Sequence, residues 1–121
     1  MAMTEAMKKA AAKLFKTTHY SLGEGQEVHF RELSRPERKA LDARLFETDE
    51  QGQVKADADG NVKLRADARY AEEWLAATNT DGLTVEDFSD DAVWFESVKR
   101  AMLNEAQRVN GFTIEDAAKN S

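Results

Sequence analysis

Two histidines, His19 and His29, share the short stretch "THYSLGEGQEVHF" and are the first residues with chemistry to offer. An imidazole can ligate a metal or move a proton, but a metal needs further ligands and a proton relay needs an oriented partner. Adjacent carboxylates in ligand-like spacing are missing here. The run Asp57-Ala58-Asp59-Gly60 suggests calcium. An EF-hand loop with Gly60 at its glycine position would open on Lys55 and close on Ala66, neither of which can ligate there, so a turn is expected instead. Glu105 is the one carboxylate set inside an apolar stripe, a setting that could raise its pKa. An unpaired buried carboxylate is costly, so Glu105 is expected near the rim beside a Lys or Arg. The chain has no cysteine, which excludes thiolate chemistry, disulfides and zinc sites of the Cys type. No triad, supported dyad or cofactor fingerprint emerges. The expectation is a protein that is not an enzyme, with no catalytic residue, no cofactor and no metal.

The elements that carry these residues can be read from their punctuation. Two runs with β-branched and aromatic residues flank Gly23-Glu24-Gly25, a hairpin signal. With Glu24-Gly25 as the turn, Tyr20 lies opposite His29 and His19 opposite Phe30, which puts the histidines close together on opposite faces. Ser34 and Glu37 form a capping box with Pro36 in the first turn, opening a helix that runs through Ala40, Leu41 and Leu45 to near Glu47. Residues 48–61 are polar and glycine-containing, a loop or a second small hairpin. A second core helix is expected over 66–77, with Ala68, Ala71, Trp74 and Leu75 on one face. Thr84 and Asp87 cap a short segment ending in Phe88. Ser89 or Asp90 caps the longest helix, about 91–109, whose stripe runs through Trp94, Val98, Ala101, Met102, Ala106 and Val109. Phe95 sits at the margin of that stripe and Leu103 well off it. Asn110-Gly111 stops the helix, with Phe112 able to pack back, and Thr113 with Asp116 caps a last short helix.

Ahead of the hairpin, residues 4–16 read as an amphipathic helix, with Met3, Met7, Ala10 and Leu14 on one side and Lys8, Lys9, Lys13 and Lys16 on the other. Such a helix can lie on a membrane or act as a transit peptide. Its alanine-rich face without tryptophan favours an arm packed on its own domain or on a neighbouring subunit. The expected fold is mainly α: a small single-domain helical bundle over 17–121, with a β-hairpin at 17–33 as the minor component of an α+β mixture, preceded by the arm at 1–16.

The 121 residues suit one domain with one core. The net charge of −6 argues against nucleic acid as the main partner, since phosphate binding needs a basic footprint. Apolar runs are far too short to span a bilayer, and "MAMTEAMKKAAAKLF" lacks the apolar core of a secretory signal, so a cytoplasmic location without membrane contact is expected. Charge is unevenly placed: six acids and no Lys or Arg lie between Asp81 and Glu96. Such a segment is a solvated face or a docking surface for a basic partner.

Three stretches together resemble the tail assembly chaperones of long-tailed bacteriophages and prophages, including the lambda-like siphophages. "VHFRELSRPERKAL" is similar to the family's strand followed by R-E-L-(S/T)-x-x-E-R and a helix. "ARYAEEWLAATNTDGLTVEDFSDDAVWFESVKRAMLNEAQRVNG" resembles its later helices with their N-G stop, and "FTIEDAAKNS" its closing segment. The order and spacing of these stretches carry the likeness, over roughly Val28 to Ser121. The connection from Thr48 to Arg65 is longer and more acidic than the family's usual one.

The resemblance implies a protein that binds the tape measure protein, a long aggregation-prone chain, keeps it soluble, and promotes tail tube assembly around it. It implies self-association, work in the bacterial host cytoplasm and departure before the virion matures. It also implies recruitment of the tail tube protein through a frameshifted extension, of which this chain would be the shorter product. Phe88, Leu103, Glu105 and Phe112 are the candidate partner-binding residues, against the favoured alternative that Phe88 and Phe112 are ordinary core and cap residues. The alternatives are a structural virion component such as a head–tail completion protein, or a small regulatory adaptor.

Overall fold

The computed structural model describes residues 2–111. Its elements are α1 (Glu5–Ala12), β1 (Thr17–Gly23), β2 (Gln26–Arg31), α2 (Arg35–Leu45), α3 (Tyr70–Thr78), α4 (Val85–Phe88) and α5 (Glu96–Val109). β1 and β2 form a two-stranded antiparallel sheet. The fold is mixed α+β, which corrects the expectation of a mainly α bundle. The sheet is no minor appendage, because β2 buries Val28 and Phe30 completely in the main core while Glu27 and His29 face outward. Strand periodicity alone produces that alternation.

The core has two pools. Val28, Phe30, Leu75, Phe88, Met102 and Ala106 form the larger, and Leu41, Leu45 and Trp74 the smaller. Adjacent residues on a helix point about 100° apart, so Trp74 and Leu75 on α3 serve one pool each. Leu103, half-buried, packs against both. Arg38 stacks its guanidinium 4.6 Å from the Trp74 ring centre, closing the smaller pool. Thr78, the buried polar side chain, donates to the Trp74 carbonyl at 2.7 Å, so its hydroxyl is satisfied within its own helix.

The hairpin differs from its expected register. Gly23 pairs with Gln26 as anticipated, but a bulge between Ser21 and Gly23 sets Leu22 aside, and beyond it His19 stands directly opposite His29 and Tyr20 opposite Val28. The histidines therefore share a face. A single unpaired residue shifts every later pair by one. The turn takes positive φ at Gly23, Glu24 and Gly25 in succession, at 88°, 53° and 75°. Glycine at both flanks makes that possible.

Helix starts also moved. α2 keeps its box: Ser34 Oγ accepts from Glu37 N–H at 3.4 Å, and Glu37 Oε1 accepts from Ser34 N–H at 3.0 Å. α3 opens at Tyr70 rather than 66, and α5 at Glu96 rather than 91. Asp90 instead closes a separate turn, its carbonyl accepting from Val93 and Trp94 N–H at 3.0 Å each. The turn satisfies those donors locally and leaves Phe95 extended ahead of the helix.

Between α2 and α3 the chain repeats a seven-residue phrase at an interval of eight, Asp49-x-x-Gly52-x-Val54-Lys55 and Asp57-x-x-Gly60-x-Val62-Lys63. Asp49 Oδ1 accepts from Gln51 and Gln53 N–H, and Asp57 Oδ1 from Asp59 and Asn61 N–H, all at 2.9 Å. Bridges at Thr48–Val54, Ala56–Val62 and Phe46–Leu64 tie the two turns into a narrow ladder. Asp57, one of the two aspartates that suggested calcium, thus folds the loop by accepting backbone bonds, as Asp49 does.

Candidate interaction surface

The two sides of α5 meet very different surroundings. On the hairpin side, Glu105 Oε2 accepts from Thr18 Oγ1–H at 2.7 Å and from Arg108 at 2.8 Å. These bonds, Arg108 first, hold the Glu105 carboxyl below its ordinary pKa, the reverse of the rise its apolar setting suggested. Pairing with an arginine is as expected. Beyond it Asn110 staples three segments. Its Oδ1 accepts from Leu33 N–H at 2.7 Å, and its Nδ2 donates to the Arg31 and Ala106 carbonyls at 3.2 and 2.8 Å. The helix then stops at Gly111, φ 87°.

The histidines lie on the outer face of the hairpin, ring centres 6.3 Å apart. His29 forms a latch rather than a site. Its backbone N–H donates to Asp81 Oδ2 at 2.7 Å, its Nδ1 lies 2.9 Å from Asp81 Oδ1, and its Nε2 lies 3.3 Å from Glu27. Asn79 Nδ2 and Thr80 N–H both donate to the His29 carbonyl at 3.0 Å. The side-chain bond to Asp81 raises the His29 pKa, and the His29 backbone N–H lowers that of Asp81. Strand β2 is thereby fastened to the α3–α4 turn. Among the described residues no group of three or more His, Cys, Asp or Glu is placed to hold a metal ion. Among them, too, no helix is long and apolar enough to cross a membrane.

The other side of α5 is open. A groove of about 540 Å³ runs between α3 and the start of α5, walled by Ala71, Trp94, Phe95 and Leu103 and edged by charge. Lys99 Nζ reaches Glu72 at 2.8 Å and Asp91 at 3.1 Å across it, and Glu72 above all raises the Lys99 pKa. Arg100 is engaged by Glu96 at 3.3 Å. The basic groups on this edge are therefore already bonded to acids.

Phe95 is the anomaly of the groove. It holds the N-cap position of α5, where Ser, Thr, Asn or Asp would accept a first-turn N–H, and makes no such bond. It is 71% exposed, and nearby Val93 is 61% exposed. A large apolar residue that is neither buried nor useful as a cap breaks two local rules together, the pattern expected of a residue kept for contact.

Of the three candidate contact residues among the described residues, only Leu103 lines this groove. Phe88 is fully buried, 5.6 Å from the Trp94 ring, and offers a partner no surface. Glu105 lies on the hairpin side of α5, engaged by Thr18 and Arg108. Phe112 lies outside the described residues. The sequence reading missed Trp94 and Phe95 as contacts because it ran them into a continuous helix. The available signal was the apolar triplet Val93-Trp94-Phe95 placed one residue after Asp90-Asp91. No family model, curated protein or solved structure matches the chain.

Proposed function

We propose that the chain is a phage tail assembly chaperone that binds the tape measure protein in the bacterial host cytoplasm. It keeps that client soluble, promotes assembly of the tail tube around it, and is absent from the mature virion. It is a binding protein and not an enzyme. The resemblance of its stretches to such chaperones supports this reading, and one observation carries it: the open groove headed by the uncovered Phe95. An amphipathic client helix places apolar anchors at three- and four-residue spacing, which a groove of this kind accepts. The acids around it favour basic stretches of client and make binding weaken with salt. A frameshifted extension would add the contact to the tail tube protein.

The test is co-expression with the tape measure protein of the same genome, followed by purification at low and moderate salt. A soluble complex holding an otherwise insoluble tape measure protein supports the reading. A tape measure protein that stays insoluble beside a free, soluble partner overturns it. Finding the chain in purified virions would point instead to a structural virion component.

A further inference from the structure

We propose that, without a client, two copies of this chain bind each other reciprocally, each laying the methionine face of its α1 in the α3–α5 groove of the other. The proposal concerns this chain alone and does not depend on who the client is.

The first support is the state of α1. Thr4 caps it, accepting from Met7 N–H at 3.1 Å. Yet every residue from Ala2 to Ala11 is exposed, and Met3 and Met7 are each 52% exposed. Isolated helices shorter than about 12–15 residues are marginal in water even with good helix formers. α1 has eight residues, so it needs a surface to stay formed. The second support is complementarity. Met7 projects from α1 with Met3 just ahead of its N-cap, and methionine is flexible, polarizable and suited to aromatic walls such as Trp94 and Phe95. The arm as a whole is basic, with Lys8, Lys9, Lys13 and Lys16 against one acid, Glu5. The groove lies beside the segment from Asp81 to Glu96, which carries six acids and no base.

The third support excludes the arm of the same chain. Lys16 is fixed to the hairpin: its N–H donates to Glu32 Oε1 at 3.2 Å, and its carbonyl accepts from Glu32 N–H at 2.7 Å. Only residues 13–15 lie between that anchor and the end of α1 at Ala12, four steps that span at most about 14 Å. The hairpin packs on the side of α5 that carries Glu105, which holds Thr18. Two residues along a helix turn about 200°, so Leu103 and the groove lie on the far side. The arm would have to wrap around α5 to fill its own groove, whereas a second copy presents its arm freely. Because each copy offers one arm and one groove, the exchange closes as a symmetric dimer, and the two contacts reinforce each other.

Sedimentation of the full chain, alone, at low and moderate salt decides it. The wild type should be a dimer that weakens with salt. Met7→Glu and Phe95→Asp should each weaken it by roughly tenfold to a hundredfold, as expected for central apolar anchors. An equimolar mixture of the two variants should recover association, because the unaltered arm of one meets the unaltered groove of the other. At concentrations low enough to dissociate the wild type, both variants should melt at or near its temperature, since both residues are exposed in the single chain. A wild type that stays monomeric at every concentration overturns the proposal. So does a dimer of undiminished affinity in either variant, or one lost on removing residues 112–121 while surviving Met7→Glu. Only this chain is present, so none of these results bears on the tape measure protein.

Discussion

α5 separates two surfaces built on opposite policies. On its hairpin side each polar group finds a fixed partner: Glu105 with Thr18 and Arg108, Asn110 with three backbone groups. On its groove side the charges are likewise engaged, but the apolar edge is only partly covered, and Phe95 stands in water. A satisfied polar network rigidifies and specifies a fold. An uncovered apolar edge adds nothing to the isolated chain and gains only when something covers it. The hairpin side is thus where substitutions should unfold the protein, and the groove side where they should change only what it binds.

The largest effect tests that division at its boundary. Phe88 is fully buried, and its replacement should behave as a core truncation. Phe88→Ala should cost about 3–5 kcal/mol in denaturant unfolding. A small loss of stability together with lost association would instead make Phe88 a contact residue and move the boundary. Next in size comes Asn110→Ala. It removes no large apolar area but strands the Leu33 N–H and the Arg31 carbonyl. The expected cost is about 1–3 kcal/mol, because unsatisfied buried groups lose water without a replacement. Asn110→Asp should recover the Leu33 bond alone and fall between the two.

How far the sequence foretold these surfaces depended on whether the signal was local. The Ser34–Glu37 box, the Thr84–Asp87 box and the Gly111 stop were all legible, since each needs only residues a few positions apart. The hairpin's existence was legible, but its register was not. That register turns on whether Leu22 is paired or set aside, and the choice is made by Val28 and Phe30 reaching the core. The start of α5 was misplaced because Asp90 can cap either a turn or a helix with the same side chain. The choice fell to Trp94, which packs on Phe88 and donates its indole N–H to the Asp87 carbonyl at 3.0 Å. That tertiary decision is what uncovers Phe95. The groove was therefore hidden in the sequence for the same reason that it exists.

Phe95 gives the third prediction, opposite in sign to the first two. Asp at the N-cap of α5 can accept a first-turn N–H that phenylalanine cannot. At concentrations where the wild type is dissociated, Phe95→Asp should leave thermal stability unchanged or raise it by about 0.5–1 kcal/mol. The same substitution should weaken self-association by roughly tenfold to a hundredfold. A variant both more stable and less sociable would show that this residue is kept at a local cost for the sake of contact. A destabilised variant would place Phe95 in the fold and close the groove side of the comparison.

The smallest effect lies in the latch between β2 and the α3–α4 turn, and it is a matter of pH. Asp81 raises the His29 pKa above its ordinary 6.5, so the stability from protonated His29 is fully present below 6.5 and is lost as pH climbs through the raised value. The Asp81 pKa is held below its ordinary 3.8, so its contribution is present above 3.8 and is lost as pH falls through the lowered value. The two together are strongest between those limits. Glu37, held down to about 2 chiefly by its bond to Arg31, loses its own contribution only as pH falls below its ordinary 4.5. Unfolding midpoints compared at about pH 5.5 and about pH 8.5 therefore isolate the histidine from that ion pair. The wild type should lose a little stability between them, and Asp81→Asn, which keeps an acceptor but no charge, should lose less. Because His29 is exposed, the difference should be small and should shrink with salt. An equal pH response in both proteins would mean that the neutral hydrogen bonds alone hold the latch, and that charge on the hairpin side matters no more than charge on the groove side.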